Sequence, residues 1–272
     1  MTEIPPELLR QSLKESGAGI PDMEDIDYAG EFLTEIDYPA QLRAIRDLLD
    51  RHAEEERLVT ERIQRISATE PMRQQFVDEA VAEMHASVYQ DAAHSMAAVG
   101  MLAPLIETIF RTAFLNIGVR YDSQPRWTST HVRLQRPGKT RWDCGSVLQN
   151  EKWVNGLVEG VRELSDALEL TSALPPGFWP RFEALIAYRN KMFHHGFEWA
   201  DKVRDQFWTK VEASGFFSAA TTDGRPWIVY MTAAFTRDLL GDIERILSVI
   251  GALAKAHPPP ADAPCAPHRP LS

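Results

Sequence analysis

The stretch from Met72 to about Ile117 limits the folds open to this chain more than any other. Phe76, Val77, Ala80, Met84, Val88 and Tyr89 recur at helical spacing, and Met96, Val99, Leu102, Leu105, Ile106, Ile109, Phe110 and Phe114 carry the pattern on. The second half is apolar nearly all round. A helix with no polar face to offer water needs other helices around it, so the chain is expected to be all-α, a helical bundle with this segment at its centre. Thr69 reads as the N-cap of the segment, with Pro71 in its first turn. Pro104 predicts a kink or two abutting helices, and Gly118 is expected to close the run.

Further helical patterns supply the neighbours. Leu42, Ile45, Leu48 and Leu49 share a face after Pro39. A helix is expected from Ser146 through Leu157, Val161, Leu164 and Leu168, another from about Pro180 to His195, and a short one over 201–212. The last, from Thr232 to Ala256, carries Phe235, Leu239, Leu240, Ile243, Ile246, Leu247 and Ile250 on its apolar side. Asp223-Gly224 signals a turn before a β-like run at Trp227–Tyr230, which allows at most one short β-hairpin. Residues 119–150 show little periodicity and contain Pro125, Pro137-Gly138 and Gly145. They are expected to form a long irregular insertion, a type of segment that is often functional. A short helix over 6–15 is compatible with Pro6 in its first turn. The organisation expected is an N-terminal arm over 1–28, an acidic helical segment over 29–70, the main helical domain over 71–256 and a disordered Pro-rich tail over 257–272.

Across its 272 residues the net charge is −10, which argues against coating nucleic acid through broad basic faces but leaves room for a local phosphate site. The charge is uneven: residues 22–70 are strongly acidic, while 120–152 lean basic. The start of the sequence lacks the basic and apolar regions of a secretion signal, and no run of about eighteen apolar residues is seen. With only two cysteines, Cys144 and Cys265, far apart, a reduced cytoplasmic setting without a membrane is expected. No cofactor is implied. His85 and His94, with Glu83 and Asp91 nearby, lack the spacing of a helical zinc motif, and "RPGKT" at 136–140 lacks the glycine spacing of a phosphate loop.

The candidate site is "AYRNKMFHHGFEW", residues 187–199. Phe182, Leu185, Ile186 and Phe193 form an apolar stripe, and Arg189 falls on it. A core-facing arginine needs partners, and Glu107, which sits amid apolar residues, is one candidate if it is not simply solvated. Asn190 and His194 are four apart and share a side. Arg189 and His194 are about 140° apart on an ideal helix, so they converge only at a helix end or if the arginine curls across. Gly196 favours a helix end. Two readings fit: basic residues finishing a helix against its dipole, or groups gathered on a phosphate.

Arg189-Asn190-x-x-x-His194 resembles the signature of HEPN domains (higher eukaryotes and prokaryotes nucleotide-binding), an arginine followed at four to six residues by histidine, often with asparagine next to the arginine. The likeness in architecture spans about residues 70–255. It implies a metal-independent endoribonuclease of toxin or anti-phage defence type, with RNA as substrate, a composite site at a homodimer interface, and an antitoxin or defence-system protein as partner. His194 would be the acid/base, Arg189 would hold the phosphate, and Asn190 would orient the histidine or donate to a phosphate oxygen. Gly196 stands where some toxin members carry a modifiable tyrosine, so that control is not implied. Some members keep the fold without activity, so a silent binding module is the alternative. Lys191, His195, Arg133, Arg136, Lys139 and Arg141 are the candidates for gripping RNA, the last four with tryptophans interspersed. Those tryptophans fit a core role equally well.

Overall fold

The computed structural model describes residues 23–34, 36–67, 74–123 and 129–258. The expected helix at 6–15, the Thr69 cap and Pro71, and the tail from 259 lie outside them. The protein is mostly helical, with two small antiparallel strand pairs. In chain order the elements are α1 (Met23–Ala29), α2 (Tyr38–Ser67), α3 (Gln74–Ser123), β1 (Ser146–Gln149), β2 (Lys152–Asn155), α4 (Leu157–Ala167), α5 (Phe178–His195), α6 (Asp201–Val211), β3 (Phe217–Thr222), β4 (Arg225–Met231) and α7 (Ala233–Ala256).

The central helix is α3, 50 residues long. Val99, Leu102, Ile106, Ile109, Phe110, Ala113 and Ile117 are all buried, at the three- and four-residue steps of one helix face. The stretch Val81–Ser123 is long and apolar enough to cross a membrane by length and composition, although charged residues interrupt it. Its apolar side chains are spent largely inside the fold, against α5 and α7. The helix is not buried all round: Leu115 and Val119 are exposed. Nor does it divide at Pro104, which lies within the helix on its exposed side, where the carbonyl one turn back that loses its donor can reach water.

Gly118 does not end α3. It makes room for a neighbour: a Cβ there would stand 2.5 Å from Cγ of the buried Trp142. The last helix, α7, follows the sequence pattern closely. Thr232 caps it by accepting a hydrogen bond from the Phe235 N–H at 3.2 Å, and all seven apolar positions anticipated on it are buried. Gly251 lets α1 lie directly on α7, since a Cβ would fall 1.5 Å from the Asp25 carbonyl oxygen. Ala29, Phe32, Leu33, Tyr38, Leu42 and Ile45 join the same core and Ile26 packs against it, so the segments on both sides of residue 28 contribute to it.

Two hairpins stand where at most one was expected. β3 and β4 turn at Asp223-Gly224, with φ of 51° and 74°. β1 and β2 replace the helix anticipated from Ser146. They turn at Asn150-Glu151, both at positive φ, 47° and 64°, and the helix begins only at Leu157. Two successive left-handed residues match the right-handed twist of a tight hairpin. Asn tolerates that conformation, but nothing in Glu151 announces it.

Candidate functional site

The motif sits on the last two turns of α5. Phe178, Phe182, Leu185, Tyr188 and Met192 are buried, a stripe that departs from the anticipated one toward the C-terminus. Tyr188 explains the difference. Its ring packs among Trp199, Phe207 and Phe217, and its hydroxyl donates to the Val229 carbonyl at 2.9 Å. Burial raises the phenol pKa, keeping that donor protonated. With Tyr188 and Met192 turned inward, Arg189 and Phe193 rotate to the rim. Phe193, expected in the core, is 58% exposed, its ring edge against the bare backbone of Gly100.

Arg189 reaches from α5 to α3. Its Nη1 donates to Oε2 of Glu107 at 3.1 Å, so the partner weighed from the sequence is the one present. Glu107 is shared, because its Oε1 accepts from Arg111 at 3.1 Å, and Arg111 in turn donates to Asp143 at 3.2 Å. The result is a chain of alternating charges, Arg189, Glu107, Arg111 and Asp143, along the α3 surface. About a third of the Arg189 side chain remains open to solvent.

Asn190, His194 and His195 are exposed and Lys191 is half-buried. The two histidine rings stand edge-on, 6.5 Å between centroids. The helix stops after His195: Gly196 takes φ 70°, and its N–H bonds to the Met192 carbonyl at 2.9 Å. The Trp199 indole donates to the Gly196 carbonyl at 2.8 Å, which anchors the chain as it leaves the motif. The end of α5 therefore exposes an asparagine, two histidines and part of an arginine, backed by an aromatic core; Arg189 itself turns to Glu107 of α3.

The basic insertion does a different job from the one expected. Arg133 is completely buried. Its guanidinium donates to the carbonyls of Arg141, Asp143 and Ser146 at 2.7–2.8 Å and to Glu163 at 2.6 Å, and it stacks over Trp153. Burial lowers its pKa, against the pull of Glu163. Arg141 is occupied by the Leu134 and Arg136 carbonyls and by Asp122. Both are corrected from RNA-gripping candidates to internal ties, because the Arg133 guanidinium and both terminal nitrogens of Arg141 are spent on the chain itself, while the Arg141 Nε is buried without a hydrogen-bond partner. Arg136, paired with Glu151 at 3.3 Å, and Lys139 stay nearer the surface. The insertion also packs toward the Gly118–Tyr121 end of α3, through Trp142, whereas Phe193 meets Gly100. It therefore packs mainly at the far end of α3 from Phe193, and among the described residues Asp143 links it to the site.

Elsewhere the fold brings His52 and Glu55 of α2 beside His94 of α3, a trio whose donor atoms could hold a metal ion. Spacing along one helix cannot find a set split between two. The role of Phe193 and the Arg111–Asp143 extension also escaped the sequence, although Glu107 and Arg111 stand at the four-residue spacing that marks a helix-surface pair.

No family model, curated protein or solved structure matches this chain.

Proposed function

We propose that this chain is a HEPN-like, metal-independent endoribonuclease of toxin or defence type, acting in the cytoplasm as a homodimer with a composite site. The observation that carries this reading is the exposure of Asn190 and His194 beside a partly open Arg189 at the end of α5. In the reaction, His194 of one subunit takes the proton of a ribose 2′-OH. The 2′-oxygen attacks phosphorus, the bond to the 5′-oxygen breaks, and the second copy of His194 supplies the proton to that leaving oxygen. Arg189 stabilises the phosphorane charge and Asn190 orients the imidazole or holds a phosphate oxygen. Lys191 and His195 would add donors for the same RNA. The exposed Phe193 supports association here, since a large aromatic beside the motif gains by being covered.

The Arg189–Glu107 ion pair favours a second reading, in which Arg189 bridges two helices and the chain is a catalytically silent module for a partner protein or a nucleotide. Cleavage decides between them. Purified protein should cut unstructured RNA in the presence of a chelator, leaving 2′,3′-cyclic phosphate ends. His194→Ala should lower the rate about a hundredfold to ten-thousandfold, with the fold intact because the side chain is exposed. Cleavage undiminished in the variant removes His194 from the mechanism. No cleavage of any RNA by the parent supports the silent module.

A further inference from the structure

Past Leu49, no described side chain of α2 is buried, and the same holds for α3 before Ala92. The two helices nevertheless stay paired well beyond the core. Arg62 meets Glu83 at 3.2 Å in a largely exposed ion pair, too weak a contact to hold two helices in register. Between that pair and the core lies a cleft of about 100 Å³ lined by His52, Glu55, Gln90, Asp91 and His94 among others. The donor atoms of His52, Glu55 and His94 all fall within 4.8 Å of one another. The two imidazoles lie face to face, with planes 13° from parallel, so one ring must turn about its χ2 to aim its in-plane lone pair at an ion held by the other. His52 Nδ1 is buried without a hydrogen-bond partner, although it sits in a polar cleft. A buried nitrogen lone pair left unspent is costly, and a cation would use it.

We propose that His52, Glu55 and His94 bind one divalent transition-metal ion of the zinc class, which pins the outer half of α2 to α3. Two imidazoles and a carboxylate are a donor set that zinc accepts at about 2.0–2.2 Å. Water completes the sphere. None of the residues lining the cleft belongs to α5, so the ion clamps the helices and stands apart from Arg189 and His194. The proposal is independent of the ribonuclease reading.

The test uses the untagged full chain, dialysed against chelator. Titration with Zn²⁺ should show one site per chain and a raised melting temperature, and Co²⁺ should give saturable visible absorption bands. His52→Ala and His94→Ala should each weaken Zn²⁺ binding by at least about a hundredfold, since loss of even an outer partner of a ligand costs 10–100-fold. His85→Ala, on the same helix but stacked on Trp227, should leave binding unchanged. Absence of a saturable Co²⁺ spectrum in the parent chain would overturn the site without reference to any variant. So would Zn²⁺ binding that survives both ligand substitutions.

Discussion

Single residues divide into those that hold the chain together and those left to meet something outside it. Arg133 belongs wholly to the first group. A buried guanidinium donating to three carbonyls and a carboxylate cannot be removed without taking a donor from all four acceptors and the cation from Glu163. Arg133→Met should cost about 3–5 kcal/mol of stability, read by urea denaturation; a loss under about 1 kcal/mol would mean that water replaces it freely. Cys144 is as enclosed, and burial pushes its thiol up to about 12. In a Cys265→Ser background the native protein should therefore resist iodoacetamide at pH 8 and label only when unfolded. Labelling at the rate of a free thiol would contradict that burial. From sequence alone Arg133 looked like a surface cation, because it sits among prolines and glycines. What buries it is a set of main-chain carbonyls that exist only once β1 and α4 have formed.

At the scale of elements, legibility followed local signals. The stripe of α7, the stop at Gly196 and the Asp223-Gly224 turn were all readable, each resting on residues within a few positions. The β1–β2 hairpin was not, because its turn carries no glycine and its apolar residues also suit a helix. Glycines inside helices show the same division. Gly241 and Gly251 both lie in α7, and on helix propensity alone each Gly→Ala change should gain roughly 1 kcal/mol. Nothing approaches Gly241, so Gly241→Ala should raise stability by about 0.5–1 kcal/mol. At Gly251 the new methyl would collide with the main chain of α1. Gly251→Ala should therefore lower the melting temperature and expose residues 23–34 to proteolysis. Equal effects from the two substitutions would show that α1 does not rest on α7.

For the whole molecule, the composite site predicts that a second chain covers the end of α5. If the composite site is correct, two chains meet around Phe193 and Arg189. Phe193→Asp should then shift the mass in solution from two chains to one and abolish cleavage with it. A dimer that survives the substitution would place the contact elsewhere. The long helix α3 bears on how such a mass must be measured. At 1.5 Å per residue its 50 residues extend about 75 Å, while a compact chain of 272 residues is expected to be only about 50 Å across. A single subunit therefore has the frictional drag of a rod-bearing particle and will elute early from a gel-filtration column calibrated with spheres. Early elution here is a statement about drag, and only light scattering or sedimentation equilibrium can count the chains.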